Sequence, residues 1–129
     1  MTDTVADIII RVKNSYMARH DQVTVPASGL REHVARVLVE TGYLANVERV
    51  AKKPQDELIL TLRYINGKPA MTDVKRVSKP GRRVYTGSGK LPRILSGYGT
   101  SVVSTSKGVM TSKQARAENI GGEVLFSIW

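Results

Sequence analysis

No cysteine occurs among the 129 residues, which excludes disulfides, thiolate metal sites and cysteine nucleophiles together. Histidine is nearly as scarce, with only His20 and His33, and His33 has no second ligand one helical turn away. No cofactor and no metal is therefore expected. Long apolar runs are missing as well: the longest pure aliphatic stretch is Ile8, Ile9 and Ile10, too short for a membrane span or a secretory leader, and a soluble intracellular protein is expected. Between Asp73 and Glu118 there is no carboxylate side chain at all, although ten lysines and arginines fall in that interval. A merely solvated surface mixes both signs, so a stretch of one sign points to an anion-binding surface.

What is present agrees with that. The formal net charge is +9 and the pI about 10.1, which favours polyanionic partners, nucleic acid first and an anionic membrane surface second. The charge is unevenly placed. Residues 1 to 66 carry nine basic against eight acidic side chains, whereas residues 67 to 129 carry eleven against three. A hydrophobic content of 41% supports a packed core, as one domain or two small ones.

The spacing of Val5, Ile8, Ile9, Val12 and Tyr16 predicts an amphipathic helix, with Thr4, Asp7, Arg11, Asn14 and Ser15 gathered on a polar stripe. Gln22–Pro26 reads as a short strand. A second helix follows, capped by Ser28 or Gly29, with Leu30, Val34, Val37, Leu38 and Thr41 inward and Gly42 at its end. Two paired strands, Asn46–Ala51 and Glu57–Tyr64, complete an α-β-α-β-β unit.

Asn66 and Gly67 mark a turn, after which short strands alternate with glycine and proline. Val74–Val77 and Arg83–Thr86 flank the turn sequence Ser78-Lys79-Pro80-Gly81, Gly87 to Lys90 form a second loop, and Leu91–Leu95 suit a helical turn. Thr100–Ser104 is strand-like. Thr111 and Gln114 fit a capping box for a last helix with Met110 as the staple residue, and Glu123–Trp129 closes the chain as an alternating strand. The expected class is α+β in two small domains: residues 1–68, an α-β-α-β-β unit, and residues 69–129, mainly β with a short helix.

The most informative cluster is Ser104, Thr105 and Ser106, followed by Lys107 and Gly108. Hydroxyls donate and accept, so three beside a lysine and a glycine suit contact with base edges, riboses and phosphates. The plainer reading is a strand-to-helix turn whose hydroxyls satisfy local backbone groups. Ser104 and Lys107 also match Ser-x-x-Lys, the spacing of a nucleophile and base, but the further elements of that chemistry are not evident. Gly89-Lys90 fails as a phosphate loop, since Val84 and Leu91 occupy required positions, and Gly97 and Gly99 lack the third glycine of a dinucleotide fingerprint. Tyr85 and Tyr98 offer aromatic surfaces for stacking on bases.

The run Ser104-Thr105-Ser106-Lys107-Gly108-Val109-Met110-Thr111 resembles the signature of the universal small-subunit ribosomal protein S-eight family, in its bacterial form. A second block, Arg76 to Tyr85, is similar too, as are Leu91-Pro92, Gly121-Gly122-Glu123 and the N-terminal Ala6, Asp7 and Asn14. Ser112 and Gln114 depart from it, standing where acidic residues are frequent, and so does Ser15, where glycine or alanine is usual. The resemblance implies a non-enzymatic, cytoplasmic protein of the small ribosomal subunit. It implies binding to the central domain of the small-subunit rRNA, with the Ser-Thr-Ser turn at an irregular part of an rRNA helix. Neighbouring small-subunit proteins, the fifth and twelfth, are implied partners, and its own operon messenger a further one; no membrane and no homo-oligomer is expected.

On this reading Ser104, Thr105 and Ser106 meet splayed bases and sugars, and Gly108 permits close backbone approach. Lys79, Arg82, Arg83, Lys90, Lys107 and Arg116 contact phosphates, and Tyr85 stacks. Ser78, Pro80, Gly81, Gly122 and Glu123 join the site from the matching blocks. Thr4, Asp7, Arg11, Asn14, Ser28 and Arg31 touch rRNA from the N-terminal half.

Overall fold

The computed structural model describes residues 4–87 and 99–129. They fall into two compact units, Thr4–Thr72 and Asp73–Trp129. The mixed α+β class expected from the sequence is what is found. Lys90, the rest of the loop from Ser88, the Leu91–Leu95 turn and Tyr98 lie outside the described residues.

The first unit begins with α1 (Thr4–Met17), whose apolar stripe Val5, Ile8, Ile9, Val12 and Tyr16 is buried as its period requires. Ser15, expected on the polar stripe, is buried with it. Strand β1 (Gln22–Pro26), helix α2 (Gly29–Glu40) and strands β2 (Leu44–Val50) and β3 (Glu57–Leu62) follow. The sheet runs β1-β3-β2, antiparallel throughout, with Val25 opposite Leu58 and Val23 opposite Leu60. Alternate residues of a strand share a face, so Leu58, Leu60 and Leu62 go inward together while Ile59 and Thr61 remain half-exposed. Each fully buried Leu or Val stabilises the unit by about 1.5–3 kcal/mol.

Ser28 caps α2, its Oγ accepting the Arg31 amide at 3.2 Å, and Gly42, at φ 88°, follows the helix end. Leu30, expected inward, sits in the first turn of α2 at 37% exposure, at the margin of the core. Asn66 and Gly67, both at positive φ, form the two-residue turn of a small hairpin, β4 (Tyr64–Ile65) with β5 (Lys68–Pro69). The Tyr16 hydroxyl donates to the Tyr43 carbonyl and accepts the Arg63 amide at 3.0 Å, tying α1 to the segments beside β2 and β3. Burial pushes its phenol above the ordinary value.

In the second unit, strands β6 (Val74–Arg76), β7 (Tyr85–Thr86), β8 (Thr100–Thr105) and β9 (Gly108–Thr111) precede α3 (Ser112–Ala117) and β10 (Gly122–Ile128). Among the described residues the sheet order is β6-β10-β8-β9, and β7 also pairs with β10. The two strands flanking the Ser78–Gly81 turn thus lie end to end along β10 and not against each other. The physical reason is burial. Val124 to Ile128 are all buried, with a register shift between Val124 and Phe126, so β10 is a central strand covered on both faces and not the alternating strand expected.

Thr111 caps α3 with both bonds of the capping box: its Oγ1 accepts the Gln114 amide at 3.1 Å, and its amide donates to Gln114 Oε1 at 3.0 Å. Met110 and Ala115 then pack with Val103 and Val124, joined by Val77 and Ile120. Asn119, at φ 58°, turns the chain out of the helix.

Candidate nucleic-acid interface

The hydroxyl cluster is a β-hairpin, not a strand-to-helix turn. Thr105 pairs with Gly108 across a two-residue loop of Ser106 and Lys107, and β9 intervenes before α3. Gly108 makes this possible, since its φ of 111° is open to glycine and strained for any residue with a Cβ. The Thr105 hydroxyl is used within the hairpin: Oγ1 donates to the Gly108 carbonyl at 2.8 Å and accepts the Lys107 amide at 3.1 Å. Side chains alternate along a strand, so Ser104 and Thr105 leave the sheet on opposite faces. The three consecutive hydroxyls are therefore not one surface. Ser106 and Lys107 occupy the exposed tip.

Ser104 has a different set of neighbours. In β10, Glu123 is opposite Ser104 on one side and Tyr85 of β7 on the other. Directly opposed residues present their side chains to the same face, so Tyr85, Glu123 and Ser104 form one row across three strands. Adjacent strands are about 4.8 Å apart, which sets the aromatic ring and the hydroxyl roughly 10 Å from each other. Tyr85 is 69% exposed, unusually open for so large a ring. The row depends on close approach: a Cβ on Gly122 would stand 2.2 Å from the Ser104 carbonyl oxygen.

The second basic element is the turn after β6. Lys79 and Arg82 exchange both backbone hydrogen bonds, each 2.9 Å, around Pro80 and Gly81. Ser78 is fully buried beneath it. Its hydroxyl donates to Glu123 Oε2 at 2.6 Å and accepts the Val84 amide at 2.9 Å, and the same carboxylate oxygen takes Arg83 at 3.1 Å. Ser78, from below, and Arg83, from the exposed side, are thus both bonded to Glu123. Lys79 and Arg82 are exposed and, among the described residues, form no ion pair. Lys107 Nζ stands 3.9 Å from Glu118 and makes no hydrogen bond to Ser104, so the nucleophile–base pairing suggested by Ser-x-x-Lys is not formed. On α3, Lys113 is exposed and Arg116 half-buried, the two further basic residues that follow the hairpin in sequence.

Beside the Lys79–Arg82 turn lies a cavity of about 590 Å³ bordered by Lys75, Val84, Val124 and Trp129. Lys75 and Trp129 were not among the residues singled out from the sequence. Lys75 had a signal in the acid-free stretch; Trp129 had none, since its place depends on how β10 is paired.

In the first unit, Asp7 accepts Arg11 Nε at 3.1 Å and Arg31 Nη2 at 3.4 Å, and Arg11 and Arg31 also reach the Thr24 and Pro26 carbonyls. With the Ser28 cap these residues meet where α1, β1 and α2 converge. Arg31 is largely covered, its side chain 12% exposed, whereas Asn14 is open to solvent and Thr4 half-buried. A separate ionic chain braces α2 to the β2–β3 segment: Glu32 receives Arg36 and Arg49, each at 2.7 Å, and Arg49 Nε reaches Asp56 at 3.0 Å. The Arg36 and Arg49 hydrogen bonds hold the Glu32 carboxyl below its ordinary range, and Arg49 with the Lys52 amide does the same for Asp56.

No helix among the described residues is long and apolar enough to cross a membrane. The family model of ribosomal protein S8 matches residues 3–129. The chain is 46% identical over 129 residues to the small ribosomal subunit protein uS8 of Ruminiclostridium cellulolyticum, covering 100% of this chain and 98% of that protein. It is 44% identical over 129 residues to that of Dictyoglomus turgidum, with the same coverage, and 49% identical over 125 residues to that of Acinetobacter baumannii strain ATCC 17978, covering 97% and 95%. A match over nearly the whole length, on a chain whose signature hairpin and basic turn share one sheet, places this protein in the ribosomal protein S8 family.

Proposed function

We propose that this protein binds the central domain of the small-subunit rRNA directly and helps to organise that part of the subunit during assembly. As a member of its family it is a structural ribosomal constituent and not an enzyme. The observation that carries the finer reading is the row Tyr85–Glu123–Ser104, flanked by the Ser106–Lys107 tip and the Lys79–Arg82 turn. It offers a stacking ring, hydroxyls and cations within one unit. A regular A-form major groove is too narrow for side chains, so such a surface suits an irregular helix whose bases are splayed.

In this mechanism Ser104 and Ser106 hydrogen-bond bases and sugars, Thr105 holds the tip in shape, and Tyr85 stacks. Lys79, Arg82 and Lys107 neutralise phosphates and supply affinity without sequence information. Contacts with the fifth and twelfth small-subunit proteins belong to the same reading. So does repression of its own messenger, which would present a similar irregular helix to the same surface.

The test compares binding to an irregular central-domain rRNA helix with binding to a perfect duplex, at matched salt, for wild type and Ser106→Ala. Wild type should prefer the irregular helix, and Ser106→Ala should lose much of that preference while keeping its affinity for duplex. Equal affinity of wild type for both RNAs would sink the site-specific reading, and tighter binding to anionic vesicles than to either RNA would favour a membrane surface.

A further inference from the structure

We propose that Lys79 and Arg82 act as a two-cation clamp on a single RNA phosphate, and that Arg83, 47% exposed but ion-paired with Glu123, anchors this clamp and does not contact phosphate. The assignment rests on the RNA-binding reading and concerns how many phosphates the basic turn takes. Three cations close in sequence, Lys79, Arg82 and Arg83, are separated by the structure into two roles.

Lys79 and Arg82 are a mutually hydrogen-bonded pair across Pro80 and Gly81. Opposed residues in such a pair put their side chains on the same side, with Cβ atoms about 5 Å apart. A phosphodiester group offers two unesterified oxygens, and the ammonium and guanidinium of two long side chains rooted that close can each reach and donate to one of them. Two like charges brought to about 4 Å of each other repel at a cost of about 1 kcal/mol in water and more near a protein surface. An anion between them removes that repulsion.

Arg83 differs by one peptide bond and by its partner. Its guanidinium is joined to Glu123 at 3.1 Å, and Glu123 is itself fixed by the buried Ser78 hydroxyl at 2.6 Å. Ser78 also accepts the Val84 amide, so one side chain ties together both ends of the turn and β10. A guanidinium that stays on its carboxylate neutralises no phosphate, and counterions leave the RNA only for phosphates that are neutralised.

Counterion release gives the test. The logarithm of the binding constant falls with the logarithm of salt concentration by about 0.7–0.9 per phosphate neutralised. Lys79→Ala and Arg82→Ala, measured singly on the irregular rRNA helix, should weaken binding but leave the slope close to wild type, because the remaining cation still neutralises the phosphate. The double variant should lower the slope by one step, about 0.7–0.9. Arg83→Gln should displace the whole plot to weaker binding without changing its slope. A full step lost for each single variant and two for the double would mean two separate phosphates and overturn the clamp. A step lost in Arg83→Gln would overturn the anchor role.

The anchor has a second readout in the free protein. Amide hydrogen exchange at Lys79 and Arg82 should quicken in Ser78→Ala and in Glu123→Gln; unchanged protection in both would overturn the anchor role. If wild type shows no preference for the irregular helix, the site-specific function fails, while the slope comparison on duplex RNA still decides between one phosphate and two.

Discussion

The hydroxyl of Thr105 closes its own hairpin, donating to the carbonyl of Gly108 at 2.8 Å while accepting the amide of Lys107 at 3.1 Å. Thr105→Val keeps the shape and removes both bonds. A typical hydrogen bond contributes about 1 kcal/mol net, so urea unfolding of the full chain should show a loss of about 1–2 kcal/mol for Thr105→Val. Ser106→Ala, at the exposed tip, should stay within about 0.5 kcal/mol of wild type. A variant that removes both hydroxyls together would mix a stability loss with a recognition loss, so the two should be measured apart.

Gly122 is required for the approach of β10 to β8. An added Cβ would meet the Ser104 carbonyl oxygen at 2.2 Å and Val103 Cγ1 at 3.1 Å, and a backbone carbonyl inside a sheet cannot move aside cheaply. Gly122→Ala should destabilise the protein by about 1–3 kcal/mol and reduce selectivity for the irregular helix, although every hydroxyl is still present. Gly29→Ala is the matched comparison. Nothing lies within 4 Å of its would-be Cβ, and its stability should remain near wild type.

The Glu32–Arg49–Asp56 chain makes stability depend on acid. Both carboxyls have folded-state pKa values below their ordinary ones, chiefly through hydrogen bonds from Arg36 and Arg49 to Glu32 and from Arg49 to Asp56. A group of that kind contributes its stabilisation in full above the unfolded pKa, about 4, and loses it as the pH falls through the lower folded value. Urea midpoints should therefore hold steady from neutral pH to about pH 5 and decline below about pH 4. Arg49→Gln removes the partner shared by both carboxyls, and its midpoint should decline less over the same interval. An identical decline in the variant would assign the acid sensitivity elsewhere.

The helices were legible because their signals are local. The stripe from Val5 to Tyr16 and the box of Thr111 with Gln114 specify elements from spacing alone, since periodicity and caps act within a few residues. Strand β9 was not legible: Gly108 to Thr111 is short, and its pairing with β8 depends on one left-handed glycine that the sequence does not distinguish from a loop glycine. The partners of β6 and β7 were hidden for a related reason, because pairing with the distant β10 is a nonlocal contact that no local pattern encodes.

The sequence by itself determined the chemistry: a cysteine-free, histidine-poor chain of net charge +9, with its basic residues gathered in an acid-free stretch around a hydroxyl run. Those are properties of composition and order, and they survive any folding. The tertiary structure decided which of those groups face a ligand. It divided the hydroxyls between Ser104, Thr105 and Ser106 by strand alternation and set Tyr85 in line with Ser104 through Glu123. It also left Lys79 and Arg82 without an ion pair among the described residues while pairing Arg83 with Glu123, because burying the Ser78 hydroxyl and covering most of the Glu123 side chain required each to find a partner.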